Sequence, residues 1–186
     1  QRGQGVGRDA TPSPLEGEGR GEGYTSLRRA VLDGCYRYRS APTGLPSAVN
    51  LFAVGWMLPE ALEAVPMLEK EGVGVSLFCV TSPDMLYRRV RHAEADEASG
   101  RHTSRFDPTG LLDAHEVGQP GVSVQDGHPH AMSFLGGALD CPSVNLGVDH
   151  FGQSGARADL YRHFGIDAHS IYAAALGLVD RQRRRG

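Results

Sequence analysis

Two short, nearly continuous apolar runs constrain the fold of this chain more than any other feature. They are VNLFAVG at residues 49–55 and VGVSLFCV at residues 73–80. A strand with apolar residues at both odd and even positions is buried on both faces, as in a parallel sheet that helices cover on each side. The segment between the runs predicts a helix over residues 59–72, in which Pro66 predicts a kink or a break.

A second helix follows the second strand. Ser82 suits the N-cap position, Pro83 the first helical residue, and Asp84 places a negative charge in the first turn, where the helix dipole favours it. The order strand, helix, strand, helix is typical of an α/β layer fold. Weaker patterns predict a helix at residues 27–38 that includes Cys35, a strand at 120–127, a helix at 130–139, a strand at 143–148, a helix at 156–165 and a helix at 168–179. Ser154 and Asp167 suit the N-cap positions of the last two helices.

The chain of 186 residues is long enough for one well-packed domain and short for two. Residues 1–23 are rich in Gly and Pro without apolar periodicity, so we expect a disordered tail there. Residues 24–180 contain all the predicted elements, and the basic residues 181–186 predict a solvated tail. Within the domain, residues 88–119 are polar with mixed charges, which predicts a solvated helix end and a loop.

Composition argues against several classes of function. The formal net charge of −3 gives no general attraction to nucleic acid or to an anionic membrane. The sequence contains no apolar run of the roughly 18 residues that a membrane-spanning helix needs. Three cysteines at wide, irregular spacing predict neither a disulfide framework nor a zinc knuckle, and they suit a reducing compartment. We therefore expect a cytoplasmic protein without nucleic-acid or membrane partners.

The densest group of polar, metal-ligating side chains is the turn DGHPH. Asp126, His128 and His130 lie there between a predicted strand and a predicted helix, and His150 follows in GVDHFG. Carboxylate and imidazole groups are ligands of Zn, Mn and Fe, so one hypothesis is a small metal-dependent enzyme. The other hypothesis is structural, with Asp126 as the cap of the next helix and the histidines packed at a domain surface. Since His-x-His is a weak signal, the residues alone leave both hypotheses open.

Motifs for other chemistries are missing from the sequence. No GxSxG nucleophile elbow occurs, and FGQSG places Ser154 before a predicted helix, where a cap explains it. The single lysine, Lys70, is not part of a phosphate-binding loop. Cys79 ends a predicted buried strand and Cys35 lies on a predicted helix, and both positions predict core cysteines. We therefore assign no catalytic residue to this chain.

The segment from residue 147 to residue 179 resembles a known family. It is similar to the end of the C-terminal domain in the transketolase superfamily. GVDHFGQS resembles the G-x-D-x-F-G-x-S turn of that domain, and HFGID resembles its HF-x-(V/I)-D junction. The Ala-rich helix that follows resembles its final helix. Within that superfamily, the closest resemblance is to the homodimeric decarboxylating component of bacterial pyruvate dehydrogenase. The matching positions are Gly147, Asp149, Phe151, Gly152, Ser154, His163, Phe164, Ile166 and Asp167. Three upstream segments resemble the family's earlier segments and follow the same order. They are AVLDGCYRYRS, VNLFAVGWMLPEALEA and GVGVSLFCVTSPDMLYRR, so the resemblance covers residues 27–179.

The resemblance implies an α/β domain of three layers, with a mostly parallel sheet of about five strands and helices on both faces. It also implies a role as the C-terminal domain, or as a split subunit, of a thiamine-diphosphate-dependent 2-oxo acid dehydrogenase or transketolase-type enzyme, acting in domain packing and dimer assembly. The residues implied at the interdomain surface are Asp126, His128, His130, Asp149, Phe151, Gly152 and Ser154. In the isolated chain, an exposed apolar or mixed patch is expected near the carboxyl ends of the strands.

The resemblance places the cofactor outside this chain. In the family, thiamine diphosphate and Mg²⁺ bind between the two preceding domains, whose GDG…N motif is missing here. Cofactor and catalytic groups would therefore belong to N-terminal and middle domains that are on a separate chain or missing. The family's Trp-Asn-x-Leu-His-Pro stretch is replaced by the polar residues 88–118, so the substrate stays open between pyruvate, another 2-oxo acid and a ketose phosphate. An inactive remnant of such an enzyme is a further alternative.

Overall fold

Strands and helices alternate along the part of the chain that the computed structural model describes, which is residues 22–45, 47–101 and 111–184. The strands are β1 (Cys35–Arg39), β2 (Ser47–Val54), β3 (Val73–Val80), β4 (Gly121–Val124) and β5 (Ser143–Leu146). The helices are α1 (Glu22–Leu32), α2 (Leu58–Lys70), α3 (Pro83–Ala98), α4 (Phe134–Ala138), α5 (Arg157–His163) and α6 (Ala168–Arg183). Short 3-10 turns at Gly55–Met57 and Pro129–Met132 follow β2 and precede α4.

The five strands form one sheet in the order β1-β3-β2-β4-β5, in which only β1 is antiparallel to its neighbour. β2 lies at the centre, where Leu51 pairs with Leu77 of β3 on one side and with Val122 of β4 on the other. Since both neighbours of β2 run parallel to it, each needs a crossover, which α2 supplies between β2 and β3. The predicted α/β fold with a mostly parallel sheet of about five strands is confirmed.

A separate apolar core lies on each face of the sheet, which gives the three layers. On one face α2 and α6 pack against Leu51, Leu77 and Val122. On the other face Phe52 and Phe78 stack with ring centroids 4.9 Å apart, and side chains from α3 and α4 cover them. Full burial of such a side chain stabilises the fold by about 1.5–3 kcal/mol, so both helix layers are needed. This two-sided burial explains why the sequences of β2 and β3 read as continuous apolar runs.

The predicted helix over residues 27–38 is wrong in its second half. α1 ends at Leu32, and residues from Cys35 to Arg39 form the edge strand β1 instead. Gly34 makes the change possible, because its φ of +96° suits glycine and a Cβ there would lie 2.8 Å from the carbonyl oxygen of Ser82. Cys35 is therefore a strand residue; it is fully buried, as the core assignment expected.

Pro66 does not break α2. The helix continues from Leu58 to Lys70 with Pro66 inside it. The proline lies on the exposed side of the helix, where water can bond the carbonyl group of Leu62 that the missing N–H leaves free. The apolar stripe of the helix thus stays continuous against the sheet, with Ala61, Val65 and Leu68 buried.

Two of the three predicted helix caps are confirmed. The side chain of Ser82 accepts a hydrogen bond from the backbone N–H of Met85, and that of Asp167 accepts one from the N–H of Ser170 at 3.2 Å. Ser154 is not a cap, because α5 starts after Ala156 and no side chain caps it. The predicted helix over residues 130–139 is divided into the 3-10 turn and the five residues of α4.

The predicted tails lie partly outside the described residues. Residues 1–21 are outside, and so are the last two residues of the basic segment 181–186. α6 extends to Arg183, so the first three residues of that segment are helical. Among the described helices, none has the length and apolar character that crossing a bilayer requires.

Replacing Asp167 by Ala should lower the free energy of unfolding by about 1 kcal/mol, because the cap of α6 is lost. The loss stays moderate because Glu60 also accepts a hydrogen bond from the first turn, from the N–H of Ala168 at 3.1 Å. Urea denaturation followed by circular dichroism measures the change. Asp180→Ala is the control, since the ion pair of Asp180 with Arg183 is partly exposed and contributes little. Equal effects of the two substitutions would contradict the capping role.

Candidate functional site

The carboxyl ends of the parallel strands meet at one edge of the sheet, which is where open α/β sheets bind their ligands and partners. β2 runs there into the turn Gly55–Met57, and β4 runs into residues 125–130. β5 runs into a loop of residues 147–155 that contains the FGxS motif, and we call this the Phe151 loop. These three segments place the residues that the sequence analysis assigned to an interdomain surface.

The two loops that follow β4 and β5 touch through their backbones. The N–H of Val148 donates to the carbonyl oxygen of Gly127 at 2.9 Å. A Cβ at Gly147 would lie 2.5 Å from that same oxygen and 2.8 Å from the nitrogen of Pro129. Gly147, the first glycine of the motif, therefore allows the two loops to approach each other closely.

The turn DGHPH is held by hydrogen bonds other than the expected ones. Asp126 does not cap the following helical turn; His128 does, through its Nδ1 atom, which accepts from the N–H of His130 at 3.2 Å. The buried side chain of Gln125 donates to the carbonyl oxygen of His128. Asp126, His128 and His130 themselves are exposed. These contacts fix the shape of the turn and leave its polar side chains facing solvent.

His150 faces α5 rather than the DGHPH turn. Its Nδ1 atom lies 2.6 Å from Oδ1 of Asp149, and its ring lies 5.7 Å from the ring of His163 and 4.9 Å from the ring of Phe164, centroid to centroid. The hydrogen bond with His150 holds the pKa of the Asp149 carboxyl below its ordinary value, and the charges of His150 and His128 act in the same direction. These four residues form a polar and aromatic clamp, the His150 clamp, at the base of the Phe151 loop.

The geometry does not support the metal hypothesis for Asp126, His128, His130 and His150. Of the described residues, only Asp113, His115 and Glu116 bring three metal-ligating side chains together, with donor atoms within 4.8 Å of one another. No three of these four side chains bring their donor atoms within that distance of one another, and His150 faces α5.

Large apolar side chains are exposed around this same end of the sheet. Trp56, after β2, is 78% exposed, and Phe151, after β5, is 96% exposed. Leu32 is 64% exposed and lies just before β1, which starts beside the end of β3 because the two strands are antiparallel. Met85 and Tyr87, in the first turns of α3, are exposed on this side as well. Exposed apolar side chains are thus found near the strand ends, where the patch is expected, and we call this end of the domain the carboxyl-end surface.

Sequence reasoning missed a buried ionic network in the segment assigned to a solvated loop. Glu116 is 1% exposed, and its carboxylate accepts hydrogen bonds from the guanidinium of Arg37, the hydroxyl of Ser76 and the N–H of Asp113. The carbonyl oxygen of Glu116 accepts from the side chain of Asn50 at 2.9 Å. The network ties residues 111–119 to the sheet face that carries Phe52 and Phe78.

One signal for this network was present in the sequence. Asn50 and Ser76 are isolated polar residues in otherwise apolar strands, and they pair directly in the sheet. Buried polar side chains need partners, so both positions predict a polar group above them. Burial by itself would raise the pKa of the Glu116 carboxyl, but the hydrogen bonds and the charge of Arg37 outweigh it, so this pKa lies below its ordinary value.

The cysteines are not poised as nucleophiles. Burial raises the pKa of the Cys35 thiol to about 12 and that of the Cys141 thiol to about 11. Because the thiolate is the nucleophilic form, both thiols stay unreactive at neutral pH. Cys79 is also buried, in β3, as predicted.

The fold and this surface define an open α/β domain whose strand ends meet at a partly apolar, histidine-containing surface. The chain belongs to the transketolase-like TK C-terminal domain family, whose model matches residues 34–167. The chain is 31% identical over 156 residues to a pyruvate dehydrogenase E1 component from Mycolicibacterium smegmatis, and 30% identical over 151 residues to one from Mycobacterium tuberculosis. The alignments cover 79% and 78% of this chain but only 16% of each relative.

Solved transketolase structures share the fold. A transketolase from Leishmania mexicana superposes with a TM-score of 0.54 at 21% identity, over 82% of this chain and 19% of that one. A transketolase from Pichia stipitis gives 0.56 at 16% identity, over 84% of this chain and 19% of that one. The recognition of the family from the FGxS block and the order of the upstream segments is confirmed.

Proposed function

We propose that this chain is the C-terminal, non-cofactor-binding part of a thiamine-diphosphate-dependent 2-oxo acid dehydrogenase or transketolase-type enzyme, present as a domain or as a split subunit. Its role is to pack against the N-terminal and middle domains and to help hold the dimer. The observation that carries the proposal is the family match over residues 34–167, together with relatives of which this chain spans only 16%.

The carboxyl-end surface supports a packing role. One end of the sheet exposes apolar area that a partner can bury, on the side chains of Trp56, Phe151 and Leu32. Aromatic side chains are enriched at the centres of protein interfaces, and the polar rim that surrounds such centres is supplied here by His128, His130 and Asp126. The surface is thus suited to a protein partner of mixed polarity.

The candidate metal-ligating group among the described residues does not suit the Mg²⁺ that accompanies thiamine diphosphate. Mg²⁺ takes carboxylate oxygens that are free to bind it. In the one three-donor group among the described residues, the Glu116 carboxylate is already bonded to the cationic guanidinium of Arg37, which would repel a metal ion. We therefore place cofactor and catalytic groups on the partner domains and derive no chemical step from this chain. The free thiols of Cys35, Cys79 and Cys141 accord with a cytoplasmic location, which is also part of the proposal.

Mixing this chain with the thiamine-diphosphate-binding chain of the same organism should give a complex on size-exclusion chromatography with light scattering. Decarboxylase or ketol-transfer activity should appear, or rise, only in the mixture. The Trp56→Ser variant should bind at least about 10-fold more weakly, since truncation of a buried aromatic anchor costs that much or more.

The matched control is His92→Ser. His92 is exposed on α3 about 14 Å along the helix from Pro83, away from the carboxyl-end surface, so its replacement should leave binding unchanged. A chain that stays alone while the thiamine-diphosphate-binding chain is fully active without it would overturn the proposal.

A further inference from the structure

Phe151 has the highest exposure of the large apolar side chains at the carboxyl-end surface, at 96%. A side chain so exposed contributes almost nothing to the stability of the domain, so the fold does not explain an aromatic residue at this position. Single exposed apolar residues are common, but Phe151 shares one end of the sheet with Trp56, Leu32 and Met85.

The loop is held in place on the N-terminal side of Phe151. Before it, the N–H of Val148 is bonded to Gly127, and the ring of His150 packs against Phe164 at 4.9 Å and His163 at 5.7 Å. Asp149 bonds the same imidazole at 2.6 Å. Because His150 points toward α5, the next side chain in the chain projects away from the domain. The His150 clamp therefore presents Phe151 outward on a loop held at its base.

We propose that Phe151 is the anchor of the carboxyl-end surface, entering an apolar pocket on the thiamine-diphosphate-binding part of the enzyme, and that the His150 clamp holds it ready to do so. This inference rests on the proposed function and names the residue through which the interface is made. A rigid aromatic group that is already in its bound position loses little conformational entropy on binding. Most of the free energy gained by burying it therefore contributes to the binding affinity.

The length of the relatives indicates which kind of partner binds Phe151. The chain spans 16% of the pyruvate dehydrogenase E1 components to which it is similar, so most of each relative is protein outside this domain. A fully exposed phenyl group followed by Gly152, where a Cβ would meet open space, leaves room for a protein cleft to close around the apolar tip.

The test is binding of the full chain to the recombinant thiamine-diphosphate-binding chain of the same organism, measured by isothermal titration calorimetry. Phe151→Ala should raise the Kd at least about 30-fold, as expected for an interface anchor, whereas Phe151→Leu, which keeps an apolar tip, should raise it less than about 5-fold. His92→Ala is the control: it is exposed on α3, away from the carboxyl-end surface, and should change the Kd less than about 3-fold.

A second readout uses this chain alone. His150→Ala should speed amide hydrogen exchange across residues 149–155 and weaken binding about 3- to 10-fold, because the loop must then be ordered on binding. Phe151→Ala should leave exchange and the unfolding midpoint unchanged. If the wild-type chain binds and Phe151→Ala binds within 3-fold of it, the anchor role is wrong while the proposed function stands. If the wild-type chain does not bind at all, both are wrong.

Discussion

Replacing Arg37 by Met should lower the free energy of unfolding by about 3–5 kcal/mol at pH 7, because it leaves the carboxylate of Glu116 buried without its cation. The guanidinium donates to both carboxylate oxygens and to the carbonyl oxygen of Leu111, and it lies over the ring of Phe78. Chemical denaturation measures the loss. Arg88→Met is the control, since the ion pair of Arg88 with Asp84 is 66% exposed on both sides and contributes about 0–1 kcal/mol at most.

The pH dependence gives this prediction a sign. The pKa of Glu116 in the folded state lies below its ordinary value. The network therefore stabilises the fold fully above about pH 4.3, the pKa of Glu in the unfolded chain. This stabilisation is lost as the pH falls through the lower pKa of the folded state. In Arg37→Met, burial raises the pKa of the same carboxyl. The variant should therefore approach the wild-type stability as the pH falls from 7 toward 4. A loss below about 1 kcal/mol at pH 7 would contradict the role of the pair.

Replacing Gly147 by Ala should destabilise the domain by about 2–3 kcal/mol, because the added methyl group meets backbone atoms that cannot rotate away. The new Cβ would lie 2.5 Å from the carbonyl oxygen of Gly127 and 2.9 Å from Cδ of Pro129. The two loops would have to separate, and the hydrogen bond from Val148 to Gly127 would be lost with that movement. Thermal or urea unfolding measures the effect.

Gly152→Ala is the control in the same loop. A Cβ at Gly152 meets nothing within 4 Å, so the stability should stay within about 0.5 kcal/mol of the wild type. Two glycines of one motif are thus expected to differ in role: Gly147 allows the loops to touch, whereas Gly152 faces open space. Equal losses at the two positions would show that the backbone conformation of the loop, rather than the contact with the DGHPH turn, needs glycine.

The central sheet could be predicted from the sequence because burial on both faces produces short, nearly continuous apolar runs, whose length and flanking residues favour strands over a buried helix. The runs at residues 49–55 and 73–80 correspond to β2 and β3, which lie beside each other in the sheet. β1 was missed because CYRYR has one polar residue at every second position and follows a real helix, so the helical spacing of the apolar residues before it was continued too far. Only the pairing with β3, whose partner residues are 38 to 45 positions away in the chain, decides that it is a strand.

The candidate site was predictable in place but not in detail. That the strand ends carry Asp126, His128 and the FGxS loop follows from the order of elements along the chain. Which side chains contact one another does not follow from that order. The chemistry of His150 groups it with the DGHPH turn, whereas in the structure its ring packs against α5. The Glu116 network joins positions 79 residues apart, and a local pattern contains no information about such a contact.

The position of α6 has a consequence for synthesis on the ribosome. This helix covers the sheet face that carries Leu51, Leu77 and Val122, yet its residues are translated after every strand of the sheet. A nascent chain that has emerged as far as β5 therefore carries a finished set of strands with one apolar face half open. Such exposed apolar surface is what chaperones bind and what drives aggregation, so the domain is most vulnerable just before its final helix arrives.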